Sequence, residues 1–414
     1  MTRKLGFVVL AAVLLTAAHA SAKGPTAPKT VFGMVWQDRY TSLAELDALT
    51  LRPVSKAARL GMSAQYLGRS PGRGMRAAFA VGEQGTAIQF VDLGAMKPER
   101  VVSIACGVSG AALWETADRL VTTCGGAAAS VLVVDPVRKR VVKRIGLKGS
   151  LEETFVANGR LVGLLAPLDG IGPARLVVVD GAARTRTVAL AGIQAGTEQP
   201  DQKTLRIRIE IPGVALDPSG ARAAVVPSRG PVTVVDLTTL GVTSHAVNGR
   251  TLAATRKEVE GTTRSAVWTM AGTIAVAGTD WIADGQNEHG VAAGLTLIDT
   301  QTWQSRMLDD RAADVSYTGP EGMLLAHGVL WNSATQTETG CGLSGYAADG
   351  TRQFHAFGDD PVWIDTLAGT YAYIGSEDLR THRIVDTTTG KVLATVRTAK
   401  PTTIAPTRPI FGGG

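Results

Sequence analysis

The segment Arg383-Ile384-Val385-Asp386-Thr387-Thr388-Thr389-Gly390-Lys391-Val392-Leu393 joins an apolar run ending in aspartate, a short polar turn and a second apolar run. Seven further copies of the first run end in Asp47, Asp92, Asp135, Asp180, Asp236, Asp299 and Asp349. The residue numbers of successive aspartates differ by 45, 43, 45, 56, 63, 50 and 37. Repetition near this period is typical of propeller and solenoid arrays, so it decides the fold class before any single motif does.

Each copy extends into a unit of short strands separated by turn residues. In the third copy we predict strands at 131–134, 141–145, 153–156 and 161–165. Asp135 suits the first turn because its carboxylate can accept a backbone N–H two residues on. Asn158-Gly159 suits a later tight hairpin because both residue types tolerate positive φ. Short strands with a turn every 8–12 residues predict an all-β fold.

Four antiparallel strands repeated radially form the blades of a β-propeller. We name the strands of a blade a to d from the central channel outward, so that each repeat aspartate ends a strand c. Strands b, c and d occur eight times but strand a occurs seven times, and the segment 402–405 is placed to supply the missing one. The sequence predicts eight blades in a ring closed by this C-terminal strand, which removes exposed sheet edges. Seven blades is the alternative if one weak copy is an elaboration.

The repeat resembles that of the secreted bacterial propellers of the YVTN and quinoprotein-like type, within the WD40-like superfamily. The segment 386–393 matches their strand-turn-strand motif best, and the resemblance spans nearly the whole mature chain. The sequence has no Trp-Asp dipeptide and no Gly-His pair, and it lacks the tryptophan that follows the Thr-Gly turn in quinoprotein blades. This superfamily carries many unrelated functions, so the resemblance implies a fold and little else.

The N-terminus has the features of a secretory signal peptide. Arg3-Lys4 gives a positive start, residues 5–18 are apolar, and Ala20-Ser21-Ala22 provides a small-residue cleavage site. The apolar stretch is shorter than the about 20 residues that span a bilayer. We expect cleavage near Ala22 and a secreted protein, extracellular or periplasmic. Residues 23–414 are expected to form one monomeric propeller domain without a membrane span.

Charge and cysteine content restrict the partners and the chemistry. The formal net charge is +6 over 414 residues, and no long block of like charge occurs, which argues against nucleic-acid binding. Export makes disulfides possible. Cys106 follows one predicted strand and Cys124 closes another, so we predict a bridge between them. Cys341 is then left over, either buried or free in a loop.

The repeats lengthen on one side only. The longer d–a connections are 192–212 and 249–264, and the longer b–c connections are 166–174, 279–294 and 332–342. In a four-stranded antiparallel blade these two kinds of connection emerge at the same rim. Loops placed by a rigid scaffold often carry binding functions, although such sites also tolerate neutral drift. The one-sidedness favours function, because drift could lengthen either rim.

The insertion 279–294 holds the richest set of candidate ligands. Asp280, Asp284 and Glu288 could supply oxygens to Ca²⁺, which takes six to eight of them, although the spacing is not that of an EF-hand loop. A plain polar loop is the alternative. Trp281 and His289 are candidates for direct contact with a ligand.

Trp331 ends a predicted strand b just before the insertion 332–342, and it is expected to face the same rim as Trp281. Two exposed indoles would suit stacking on a sugar or clamping an extended peptide, whereas core packing is the alternative for Trp331. Three other tryptophans fall in predicted strands a and should line or fill the channel, namely Trp114, Trp268 and Trp363.

Recognisable catalytic motifs are missing from the sequence. It has no Gly-x-Ser-x-Gly elbow, no His-Glu-x-x-His motif and no phosphate loop, and its histidines are widely separated. We therefore expect a non-enzymatic exported propeller that binds a protein, peptide or glycan through the elaborated rim. The alternative is a metal-dependent hydrolase or lactonase with its site at the channel mouth. Three or more carboxylates or histidines converging there would favour catalysis, and an aromatic, mostly neutral mouth would favour binding.

Overall fold

The structure is a computed structural model that describes residues 26–71, 76–104, 106–125, 128–198, 208–249, 259–285, 287–319 and 322–406. Within these ranges the regular elements are β-strands and one short 3₁₀ helix, Glu83–Gly85, which confirms the all-β prediction. The expected signal peptide, residues 1–22, lies outside the described ranges, so its boundary stays a prediction. No helix in the described residues is long and apolar enough to cross a membrane.

The strands follow the repeat along the chain. The first three repeats contain β1 (Thr30–Gln37), β2 (Tyr40–Asp47), β3 (Ala58–Leu60), β4 (Gln65–Arg69), β5 (Arg76–Val81), β6 (Ala87–Asp92), β7 (Lys97–Pro98), β8 (Val102–Ser103), β9 (Gly107–Thr116), β10 (Arg119–Gly125), β11 (Ser130–Asp135) and β12 (Arg140–Gly146). The fourth and fifth contain β13 (Ser150–Ala157), β14 (Arg160–Ala166), β15 (Gly172–Asp180), β16 (Thr185–Thr197), β17 (Ile209–Ile211), β18 (Gly213–Leu216), β19 (Arg222–Val226), β20 (Val232–Asp236) and β21 (Val242–His245).

The later repeats carry additional strands. The sixth contains β22 (Val259–Trp268), β23 (Thr273–Asp284), β24 (Asn287–Ala292), β25 (Leu295–Asp299) and β26 (Ser305–Asp309). The last two contain β27 (Asp314–Tyr317), β28 (Leu324–His327), β29 (Val329–Asn332), β30 (Thr337–Gly340), β31 (Leu343–Tyr346), β32 (Arg352–Ala356), β33 (Trp363–Ala368), β34 (Tyr371–Gly375), β35 (Thr381–Asp386), β36 (Val392–Arg397) and the C-terminal β37 (Thr402–Pro406).

These strands form seven sheets. Five sheets have four strands each, in the orders β3-β2-β1-β37, β12-β11-β10-β9, β18-β19-β20-β21, β27-β28-β31-β32 and β33-β34-β35-β36. A sixth sheet has the order β4-β5-β6-β7. Its outer position is divided between two short strands, β7 and β8, which both pair with β6. The seventh has twelve strands: it runs β13-β14-β15-β16-β17-β22-β23-β24-β29-β30, and β25 and β26 branch from β23.

The prediction of eight separate blades, with seven as the alternative, is therefore wrong. Six antiparallel blades of four strand positions stand alone, and the fourth and sixth repeats are parts of one larger sheet. The short strand β17 joins them, because Gly196 of β16 lies opposite Glu210 and Ile211 lies beside Thr263 of β22. A count of repeat aspartates missed this because it carries no information on hydrogen bonds between repeats.

The C-terminal strand meets the start of the chain. β37 pairs antiparallel with β1, and Phe32 lies opposite Ala405. The Tyr373 hydroxyl of β34 donates a 2.8 Å hydrogen bond to the carbonyl of Ala48, so the last blade also contacts the first. Both contacts connect parts of the chain that are distant in sequence and close the ring.

Each repeat aspartate caps its turn, which confirms that prediction. Asp299 Oδ1 accepts the amide of Gln301 at 2.9 Å and that of Thr302 at 2.7 Å. Equivalent backbone donors reach Asp47, Asp92, Asp135, Asp180, Asp236, Asp349 and Asp386. The hydrogen bonds from Thr302 and Gln301 lower the pKa of Asp299, because they stabilise the ionised carboxylate.

The core lies between neighbouring blades. One cluster packs Phe32 and Leu43 of the first blade against Phe79 and Val91 of the next. Blade faces that are buried on both sides explain the runs of Val, Ala and Leu in strands b and c, because every position must then avoid charge. The chain leaves polar side chains at the rims and along the channel, where the functional candidates lie.

Candidate functional site

The predicted insertions form one continuous layer above the blades. We call it the rim sheet, and it comprises residues 194–197, 209–211, 259–264, 279–284, 287–292, 329–332 and 337–340. Residues 199–207 and 250–258 of the predicted insertions lie outside the described ranges. The remaining parts come from several repeats and share hydrogen bonds, so the elaborated rim is an ordered β layer and not a set of separate loops.

Asp280, a predicted ligand of this rim, is engaged by a neighbouring arginine. Arg264 Nη2 donates to Asp280 Oδ1 at 2.6 Å, and Arg264 Nη1 donates to the carbonyl of Thr279 at 3.2 Å. The Arg264 side chain is only 3% exposed. Asp280 therefore compensates a buried cation, which leaves it poorly placed to serve as a free metal or ligand contact.

Two of the proposed calcium ligands, Asp280 and Glu288, do not converge. In the β23–β24 hairpin, Ala283 lies opposite Glu288 and Ile282 lies opposite His289. Side chains alternate between the two faces of a strand, so Glu288 projects from the face opposite to that of Asp280. The side chain of Asp284 lies outside the described part of the structure. Asp280 and Glu288 do not fit a shared Ca²⁺ site, and none of the described side chains form a group of three His, Cys, Asp or Glu able to hold a metal.

The two rim tryptophans are half-buried. The Trp281 ring and Leu330 lie beside Gly290, where a Cβ would be 3.6 Å from Trp281 Cζ3 and 3.4 Å from Leu330 Cδ2, which are ordinary van der Waals distances. Trp281 Nε1 is buried without a hydrogen-bond partner. Trp331 lies in β29 opposite Glu338. The tryptophans that the structure exposes among the described residues are instead Trp36 and Trp363.

A cavity of about 480 Å³ lies at the end of the channel where strands a begin and strands b end. Its wall contains residues of β13, β18, β22, β27, β28 and β33. Both d–a and b–c connections emerge at this end, so the cavity opens on the same rim as the rim sheet. We call it the channel-mouth cavity. A pocket of this size is typical of small-molecule sites.

A β-bulge on the innermost strand places two adjacent glutamates in this cavity. Leu151 pairs with Leu165 and Glu153 pairs with Leu164, so Glu152 is the extra residue. Bulges re-aim side chains and are common beside functional sites. Burial raises the pKa of Glu153 to about 7, and the nearby charges of Asp314 and Glu152 add to the effect. Glu153 is thus a half-buried carboxyl that exchanges its proton near neutral pH.

A histidine and the hydroxyls of Ser265 and Ser316 add to the polar lining. His327 ends β28 and is 5% exposed, and its Nε2 lies 3.0 Å from Ser316 Oγ. Asp314 lies directly opposite His327 in the β27–β28 register. Burial lowers the pKa of His327, while Asp314 opposes that effect, so the imidazole is held neutral. The Val315 amide donates to Asp314 Oδ1 at 2.7 Å and to Ser265 Oγ at 3.2 Å.

The channel-mouth cavity is acidic in a basic chain. Glu152, Glu153 and Asp314 line it, and no Lys or Arg occurs among the wall residues that the structure describes. The whole chain nevertheless carries a formal charge of +6. The sequence alone did not reveal these residues as a group because their strands belong to different repeats. The one available signal was the Glu152-Glu153 doublet on an innermost strand, where two adjacent charges are unexpected.

The cysteines form the expected arrangement away from this cavity. Cys106 and Cys124 are joined by a disulfide across 18 positions of sequence. Cys341 is free and buried. Burial raises the pKa of its thiol to about 11, so it is a poor nucleophile at neutral pH.

Comparisons with known proteins identify a fold and no family. No protein-family model matches the chain, and no curated protein matches it. Among solved structures, the chain is similar to dihydro-heme d1 dehydrogenase NirN in complex with DHE, with a TM-score of 0.52, 11% identity, and 92% of this chain and 76% of that chain covered. At this identity the likeness supports the β-propeller fold alone, and the YVTN and quinoprotein-like type stays a resemblance.

Two further structures give weaker matches. Apo AztD from Citrobacter koseri has a TM-score of 0.48 and 12% identity, with 93% of this chain and 98% of that chain covered. The computationally designed Ika8 protein has a TM-score of 0.47 and 12% identity, with 83% of this chain and 92% of that chain covered. Nothing about function is inferred from either match.

Proposed function

We propose that this chain is an exported, non-enzymatic binding protein that holds a small organic cation in the channel-mouth cavity. The observation that carries the proposal is the charge of the lining, which among the described residues combines three carboxylates with no Lys or Arg. Low-dielectric walls that present one sign of charge concentrate ligands of the opposite sign. The N-terminal residues 1–22 support export.

An organic cation fits the lining better than a metal ion does. The described carboxylates and histidine do not form a metal-binding group. Phe155, Val267 and Ile364 give the cavity apolar walls beside its carboxylates. An ammonium group on a small apolar body would contact both kinds of surface, and an aromatic face also attracts a cation. The rim sheet frames the opening and supplies the surface on which a ligand first arrives.

Calorimetric titration with benzylamine, and with benzyl alcohol as the neutral isostere, tests the proposal. At pH 8 we expect benzylamine to bind and benzyl alcohol to bind at least tenfold more weakly. Glu153→Gln and Asp314→Asn should each weaken benzylamine at least tenfold, because each removes one facing charge. Asp118→Asn, in the exposed turn between β9 and β10 on the opposite rim, is the matched control and should change nothing. Equal affinity for amine and alcohol would overturn the proposal.

Hydrolysis at Ser316 is a second candidate. Three carboxylates and a histidine converge at the channel mouth, an arrangement that favours catalysis. The Ser316 oxygen would attack an acyl carbon while His327 Nε2 takes its proton and passes it to the departing alcohol. Water would then release the acyl group. A fluorophosphonate probe should label Ser316 in this case and fail with His327→Gln. Ser344, paired with His355 at 2.9 Å in the same blade, is the control serine. Absence of labelling at Ser316 removes this candidate.

A further inference from the structure

A second cavity, of about 380 Å³, lies at the rim opposite the rim sheet. It sits between β21 and the turn that joins β25 to β26, where two neighbouring repeats meet. Two tryptophans, a histidine and an arginine contribute to its wall: Trp268, Trp303, His245 and Arg222. We call it the interblade pocket. None of these residues belongs to the channel-mouth cavity.

Backbone hydrogen bonds hold the two repeats together at this pocket. The amide of Asn248 donates to the carbonyl of Trp303 at 2.8 Å, and the amide of Ser305 donates to the carbonyl of Asn248 at 2.7 Å. The segment that follows β21 is thereby fixed along the β25–β26 turn. As a result His245 stacks on Trp303 with ring centroids 3.9 Å apart and planes 10° apart. The flat wall is therefore preformed.

The opposite wall is an arginine lying on an indole. The guanidinium carbon of Arg222 lies 4.8 Å from the centre of the Trp268 ring. Arg222 Nε makes only a long, 3.5 Å contact with Asp217 Oδ2. Asp217 is already satisfied, since its oxygens accept the amides of Ala221 and Arg222 and the hydroxyl of Ser219. The outer edge of the guanidinium keeps donor capacity, and the side chain is 52% exposed.

The carboxylate in the pocket wall is directed elsewhere. Asp236 Oδ1 accepts the amides of Thr238 and Thr239 at 2.8 and 2.7 Å. These two hydrogen bonds lower the pKa of Asp236, because they stabilise its ionised carboxylate within the turn. Arg222 is then the charged group of the wall whose donors are least committed.

We propose that the interblade pocket binds a flat aromatic ligand that carries a carboxylate or similar anionic group. The aromatic ring would stack on an outer face of the His245–Trp303 pair, an arrangement that aromatic side chains favour. The anionic group would accept hydrogen bonds from the outer edge of Arg222, whose planar fork matches a carboxylate. This site is independent of the cation site, because it lies on the opposite rim and prefers the opposite charge.

Three probes that share a naphthalene ring system test this site: 1-naphthoate, 1-naphthalenemethanol and 1-naphthylmethylamine. Tryptophan fluorescence and calorimetry measure their binding. We expect 1-naphthoate to bind at least tenfold more tightly than the alcohol at pH 7.5. Arg222→Gln should remove that difference while leaving the affinity for the alcohol unchanged. Glu153→Gln should leave 1-naphthoate binding unchanged, so failure here and failure of the cation proposal are distinguishable.

A variant that removes the Trp303 indole provides a second test of the interblade pocket. Trp303 has φ = 56°, and Gly390 occupies the same position four residues after the repeat aspartate of its own turn, with φ = 70°. Glycine adopts this conformation without strain, so Trp303→Gly should preserve the turn while deleting the indole. We expect at least a tenfold loss of affinity for 1-naphthoate, and circular dichroism checks that the variant keeps its fold. Unchanged affinity in this variant, or equal binding of all three probes, would overturn the proposal.

Discussion

Arg264 and Asp280 form an ion pair with a 2.6 Å contact at the point where β22 and β23 leave their blade and enter the rim sheet. The two side chains are 3% and 15% exposed. The Asp280 carboxylate, which the sequence suggested as a ligand contact, therefore stabilises the rim sheet itself. The pair also explains why a charged residue can lie in a buried strand, since each charge compensates the other.

Asp280→Ala should destabilise the protein strongly. It leaves the Arg264 guanidinium buried without its partner, which typically costs about 3–5 kcal/mol in the free energy of unfolding. Urea denaturation measures this loss. Arg264→Met combined with Asp280→Leu should recover most of it, because neither charge then remains buried. The exposed pair Arg184–Asp180 is the control, and Arg184→Ala should cost less than about 1 kcal/mol.

Glu153 makes stability fall as pH rises. Its pKa in the folded chain is about 7 against an ordinary value of 4.5, so the folded state holds the proton more tightly than the unfolded state. Stability is then full below pH 4.5 and declines as pH rises through 7. The Glu153→Gln variant should not show this decline. Its free energy of unfolding at pH 8 should exceed that of the wild type by on the order of 2–3 kcal/mol.

Thermal unfolding at pH 4, 6 and 8 checks the Glu153 effect. Glu152→Gln is the neighbouring control, and it should give a smaller gain because it removes only a contributing charge. If the unfolding temperatures of the wild type and of Glu153→Gln change with pH in parallel across this range, the pKa of the Glu153 carboxyl is not raised.

The repeat aspartates could be assigned roles from sequence because each acts on its own turn. Asp299 caps residues two and three positions on, a range that local chemistry controls. The Cys106–Cys124 pair was also accessible, since both residues flank neighbouring strands. The number of separate blades was not accessible, because β17 joins repeats through hydrogen bonds that no repeat period encodes.

The candidate site could not be predicted for the same physical reason. Glu153 and Asp314 belong to different repeats, and only the ring brings their charges within mutual influence. His327 had no neighbouring ligand in sequence, and its partner Ser316 became visible only across the β27–β28 pair. The described parts of the rim insertions lie at the predicted rim, although Trp331 belongs to β29 and not to a strand b, which ends at His327. The roles of Asp280 and Trp281 were set by tertiary packing.

Asp386 should make stability fall at low pH. Its carboxylate accepts the amides of Thr388 and Thr389 and the Thr388 hydroxyl, and although burial acts in the opposite direction, these bonds lower its pKa. Its contribution is complete above the unfolded pKa of about 3.9 and is lost as pH falls through the lower folded value. Asp386→Ala should cost about 1 kcal/mol at pH 7 and less at pH 2. Asp386→Asn, which keeps an acceptor, should cost less at pH 7, and an equal cost at both pH values for Asp386→Ala would contradict this account.

The disulfide should contribute about 3 kcal/mol, because Cys106 and Cys124 close a loop across 18 positions and so restrict the unfolded chain. Cys106→Ser combined with Cys124→Ser should lower the urea midpoint by the corresponding amount. Reductant should shift the wild-type midpoint and leave that of the double variant unchanged. Cys341 provides the internal control: its thiol, with a pKa of about 11, should react with iodoacetamide only as fast as the chain unfolds. A reductant-insensitive midpoint would show that the bridge adds no stability, whereas rapid native labelling at Cys341 would show that its blade opens locally.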